Sequence, residues 1–70
     1  MINNEESAYS ILQLNDSASA EEIMAQYEIL KGRYKRIKDE TGDLKTHLEY
    51  QLKQIELDDV YIYFRRKQRI

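Results

Sequence analysis

The chain has no cysteine, no proline and no tryptophan, and only two glycines and one histidine in 70 residues. Without cysteine there is no disulfide staple and no thiolate metal site. A domain this small must then hold itself together by packing its elements on one core. A lone histidine, His47, cannot build a zinc site, which needs several such ligands. Without proline no helix interior is forcibly broken. No apolar run approaches the ~20 residues of a membrane span. The opening Met1-Ile2-Asn3-Asn4-Glu5-Glu6 is polar and acidic, unlike a secretory leader. These absences lead to the expectation of a cytoplasmic protein without a membrane span.

Catalytic groupings are also missing. There is no phosphate-binding glycine loop and no calcium-loop pattern. His47 has Asp43, Glu49 and Tyr50 nearby in sequence, but no nucleophile is paired with a base. The acidic pairs Glu5-Glu6, Glu21-Glu22 and Asp58-Asp59 fall at expected helix starts, where the helix dipole favours them. The chain is therefore read as a non-enzyme, with no cofactor and no metal.

What is present is an amphipathic, charged sequence: 41% apolar and 34% charged, with a net charge of −2. That apolar content suffices for a packed core, so disorder throughout is not expected. One domain is expected, burying about 60% of its unfolded surface. The modest net charge conceals two basic patches. Residues 31–38 hold five basic side chains and no acid, and residues 65–69 hold four more.

Periodicity divides the chain into an all-α fold. Asn4 is a natural N-cap for a short helix over about 5–14 carrying Ala8, Ile11 and Leu12. Ser19 followed three residues later by Glu22 is a capping box. It opens a second helix over about 20–40, whose seam is Ile23, Tyr27, Leu30, Tyr34 and Ile37. Lys31, Lys35 and Lys38 lie on one flank of that seam, Arg33 and Arg36 on the other, and Gly32 opposite it. Thr41-Gly42-Asp43 breaks the pattern, with Gly42 as the residue beyond the helix end and Asp43 as the next N-cap. So short a connection makes the second and third helices antiparallel neighbours.

The third helix, over about 43–57, shows Leu44, Leu48, Leu52 and Ile55 on one face. Its next seam position is Asp59, and the apolar residues then move to the other side as Leu57, Val60, Tyr61 and Phe64. One straight helix would be apolar on both sides. The simpler expectation is a break at Asp58-Asp59 and a short fourth helix over about 59–68; a continuous helix to Arg66 is the alternative.

The order of parts resembles the J domain of DnaJ-type cochaperones. Tyr9-Ser10-Ile11-Leu12-Gln13-Leu14 resembles the family's opening Tyr-x-Ile-Leu-Gly-Val. Residues 17–23, Ser-Ala-Ser-Ala-Glu-Glu-Ile, resemble its loop and cap before the second helix. Tyr27, Leu30 and Tyr34 match its Tyr, Leu and Tyr, and Leu57-Asp58-Asp59 resembles the Leu-x-Asp that closes its third helix. The resemblance implies a basic face on the second helix directed at a DnaK-type ATPase chaperone. Directly after Tyr34 the family carries His-Pro-Asp, where this chain reads Lys35-Arg36-Ile37. The resemblance is therefore to a J domain without its signalling tripeptide. The second helix should run about a turn longer than in the family, with the loop near Gly42.

The function expected is a protein-interaction module that binds or regulates a chaperone, a J protein or another partner without stimulating ATP hydrolysis. Lys31, Lys35, Lys38, Arg33 and Arg36 are its candidate docking residues. The ordinary alternative for them is a solvated helix face helped by pairs such as Glu28 with Lys31. A second candidate interface is Tyr61, Phe64, Arg65 and Arg66. It suits an unrelated helical adaptor or a homodimer using Val60 as well. Nucleic-acid binding through both basic patches is a third reading, disfavoured by the acidic balance.

Overall fold

The computed structural model describes residues 4–70, and the polar opening residues Met1, Ile2 and Asn3 lie outside it. Among the described residues there are three helices and no strand: α1 (Glu5–Ile11), α2 (Ala20–Glu40) and α3 (Leu44–Arg66). Helices α2 and α3 form an antiparallel hairpin, and α1 packs against α3. The molecule is elongated, 38 × 21 × 17 Å.

Each helix start is built from its cap. The Asn4 side chain accepts from the Ser7 amide at 2.8 Å. At α2 the capping box is complete: Ser19 Oγ accepts from the Glu22 amide at 3.1 Å, and the Glu22 carboxylate accepts from the Ser19 amide at 3.0 Å. Asp43 accepts from both the amide and the hydroxyl of Thr46, at 3.0 and 2.7 Å.

Three expectations change at the helix ends. Helix α1 stops at Ile11, three residues before the expected limit. Gln13 takes a left-handed backbone (φ 62°), and the Leu14 amide turns back to donate to the Tyr9 carbonyl at 2.9 Å. That is a Schellman closure, and it converts Leu14 from a helical residue into the apolar plug behind the turn. Gly42 does not end α2 in the left-handed region. Thr41 leaves the helix in an extended conformation (ψ 140°), and its side chain accepts from the Asp43 amide at 3.2 Å.

The third change is the largest: there is no fourth helix, and α3 runs unbroken through Asp58 and Asp59. Asp58 caps nothing; it accepts a hydrogen bond from the Tyr27 hydroxyl on α2 at 3.0 Å. Leu57, Val60 and Phe64 fall on one side of the same helix and are all buried. The Leu44, Leu48, Leu52 and Ile55 face, expected to be the seam, points instead to solvent.

The core is Ala8, Tyr9, Leu12, Ile23, Tyr27, Leu30, Leu57, Val60 and Phe64. On α2 the buried positions stop at Leu30, and on α3 they begin at Leu57. All three helices therefore meet only at one end, where Phe64 lies 5.0 Å from Tyr9, ring to ring. Beyond that end the hairpin continues as an arm of two helices. Its contacts are lighter: Tyr34 meets Tyr50 edge-on at 5.5 Å, and the Lys53 ammonium sits 5.8 Å from both rings.

This division gives a direct test. Phe64→Ala should cost about 3–5 kcal/mol, the usual loss for a fully buried ring. Leu44→Ala, on the exposed face, should change stability by less than about 0.5 kcal/mol in dilute solution. Urea denaturation followed by circular dichroism distinguishes them, and similar losses for both would contradict the placement of the core.

Candidate functional site

The basic residues of α2 are held by a helix whose seam is fully committed to α3, so their side chains are directed outwards. Lys31 and Lys35 are exposed and Lys38 is half-buried. They share the flank that also carries Asp58 and His47 from α3, because these two residues bond to α2 from that side. His47 Nδ1–H donates to the Lys38 carbonyl at 3.2 Å, tying the two helices together below the tip. The Lys31 ammonium lies 5.5 Å from the Tyr27 ring, which in turn packs 4.9 Å from Tyr61. Arg33 and Arg36 are exposed on the other flank. The structure thus separates the five basic residues into a lysine face and an arginine face.

Among the described residues none of these five forms an ion pair. The salt bridge present links Arg69 to Glu5 and fastens the end of the described chain to α1. The Glu28–Lys31 pair offered by the alternative reading is not formed; Lys31 leans over Tyr27 instead.

The second candidate set is divided between core and surface, with Tyr61 and Arg65 lining an open groove beside Met24 and Ile70. Phe64 and Val60 are fully enclosed, and Tyr61 is half-buried against Tyr27. Arg65 and Arg66 are exposed, but Lys67 rests over the Tyr63 ring at 5.8 Å and Arg69 is engaged with Glu5. The two basic patches are spread along the hairpin: Tyr34 meets Tyr50, sixteen residues or about 24 Å before Arg66, whereas Lys31 lies over Tyr27, which packs on Tyr61 one turn before Arg65.

Sequence reasoning missed an exposed apolar stripe on α3. Leu44, Leu48, Leu52, Ile55 and Ile62 are 71%, 50%, 67%, 53% and 48% exposed, on the side of α3 that faces away from α2. The signal was present, since the same helix showed two apolar stripes; it was read as a break in the helix. Tyr50 and Lys53, which hold the arm, had no pattern to distinguish them.

No group of three metal-binding side chains occurs among the described residues, and no described helix is long and apolar enough to cross a membrane. No protein-family model, curated protein or solved structure gives a significant match to this chain.

Two acid–base groups among the described residues are perturbed. Burial, reinforced by the hydrogen bond and negative charge of Asp58, pushes the Tyr27 hydroxyl up to about 12. The hydrogen bonds from Thr46 hold the Asp43 carboxyl below its ordinary value. A raised tyrosine pKa means that the folded state keeps a proton the unfolded chain loses above about 10. Its contribution to stability is complete below pH 10 and declines as pH rises towards 12. In an ultraviolet titration one tyrosine should ionise well after an ordinary phenol. In Asp58→Asn its midpoint should fall towards 10; an unchanged midpoint would rule out the Tyr27–Asp58 contact as a contributor.

Proposed function

We propose that this chain is a non-catalytic protein-interaction module whose hairpin arm carries an electrostatic docking face, formed by Lys31, Lys35 and Lys38. The observation that carries the reading is the absence of ion pairing on this face, combined with its position on an arm that the core does not use. Three ammonium groups without carboxylate partners keep a positive potential in front of α2. Such a face acts on the encounter rate and orientation of an acidic partner more than on residence time.

The finer form of the reading is a J-like module that has kept the basic face and lost the signal. A short first helix, a capped loop and a long antiparallel hairpin support it. So does the unbroken run of α2 to Glu40, past the point where the family's proline would end it. The expected partner is then a DnaK-type chaperone, bound without stimulation of its ATPase, or a J protein whose action is modulated. Arg33 and Arg36, on the opposite flank, are secondary contributors. The engagement of Lys67 with Tyr63 and of Arg69 with Glu5, together with the net charge of −2, speaks against nucleic acid as the partner.

The test is a titration of the chain against a DnaK-type chaperone, with ATP hydrolysis measured alone and in the presence of an active J protein. Binding that weakens with salt is expected, with no stimulation by the chain alone. The triple variant Lys31→Glu, Lys35→Glu, Lys38→Glu should bind at least about tenfold more weakly. No binding and no effect on the active J protein would remove the chaperone reading. Retained binding by the triple variant would remove the lysine face.

A further inference from the structure

The apolar stripe of α3 is independent of the lysine face and points elsewhere. We infer that it is a self-association surface, on which a second copy of the same chain packs α3 against α3 in antiparallel orientation.

Spacing is the first support. Leu48, Leu52, Ile55, Asp59 and Ile62 follow steps of four, three, four and three along one unbroken helix, which is the seam of a two-helix packing. Leu44 extends the stripe by one turn. The five apolar residues expose a patch on the order of 500 Å², at the upper end of what a monomer leaves in water. With its polar rim, one face of a 23-residue helix about 34 Å long reaches the ~800 Å² per partner of a standard interface.

Charge selects the occupant and its direction. The seam carries two charged positions, Lys45 near its start and the half-buried Asp59 fourteen residues later. In a parallel pair each would meet its own copy, lysine against lysine and aspartate against aspartate. In an antiparallel pair with the two-fold axis between residues 53 and 54, Leu52 packs on Ile55 of the second copy. Lys45 is then level with Ile62 of the second copy and three residues, about 4.5 Å along the axis, from its Asp59, within reach of a long lysine side chain, twice by symmetry. Charged seam positions of this kind set orientation in helix pairs. The same register brings Glu49 near Glu56 of the second copy at the rim, where solvent and salt screen the repulsion. A single seam therefore supplies both halves of its own complement, which an unrelated partner would have to match by separate means.

Sedimentation equilibrium from micromolar to millimolar chain tests this. The mass should rise from one chain to two. In Leu48→Glu with Leu52→Glu it should stay at one chain, with helical circular dichroism unchanged because both side chains are exposed. Lys45→Glu and Asp59→Lys should each weaken the dimer about tenfold, and the doubly reversed chain should recover most of that affinity. A single-chain mass at millimolar concentration overturns the proposal, as does a dimer indifferent to the leucine substitutions. Single reversals without effect, or no recovery in the double reversal, overturn the antiparallel register. Chaperone binding by the Leu48, Leu52 variant is unaffected by any of these outcomes, so the two surfaces are tested separately.

Discussion

Everything in this molecule depends on the packing of α1 against the base of the hairpin. Helix α1 is seven residues long, far too short to persist in water on its own. It is held because Ala8, Tyr9 and Leu12 close over the side of the hairpin lined by Leu57, Val60 and Phe64, with Tyr9 and Phe64 ring to ring. In return α1 supplies the third wall without which two helices enclose nothing. The Asn4 cap, the Schellman turn at Gln13 and the Arg69–Glu5 bridge all sit at this end, and each limits how far α1 can move from its seat.

From this base the hairpin runs outwards with progressively less burial. Aliphatic packing gives way beyond Leu30 and Leu57 to contacts that tolerate water: a tyrosine pair, a lysine over their rings, and an imidazole on a backbone carbonyl. The Tyr27–Asp58 bond lies at the boundary between the two regimes. It holds a mid-helix carboxylate to the neighbouring helix at the position where the sequence pattern suggested a break. Protection against amide exchange should follow the same gradient, since opening free energies track local burial.

The legibility of this structure in its sequence was uneven for physical reasons. Helix α2 was readable to both ends because one apolar seam faces one partner and a capping box marks its start. The caps at Asn4, Ser19 and Asp43 were readable because a short polar side chain before an amphipathic run has one common use. Helix α3 was not, because hydrophobic periodicity reports which faces are apolar, not which of them is inside. With Leu48, Leu52 and Ile55 on one side and Leu57, Val60 and Phe64 on the other, a broken helix and a two-faced helix give the same pattern. Only the position of α1 decides between them, and that is a tertiary fact. The lysine face was legible as a set of charges, but its separation from Arg33 and Arg36 mattered only once the seam was known to be engaged. Of the residues Tyr61, Phe64, Arg65 and Arg66, only Phe64 is withdrawn from the surface, because its ring is the centre of the core.

The distribution of burial also bears on how such a chain can change over generations. Between residues 31 and 56 no side chain is fully enclosed. Substitutions on the outward faces of that stretch carry little penalty in folding free energy, whereas those at the base carry several kcal/mol. The arm is thus free to drift while the base is not. Recognition can be rewritten at the surface, one exposed residue at a time, without the fold being renegotiated.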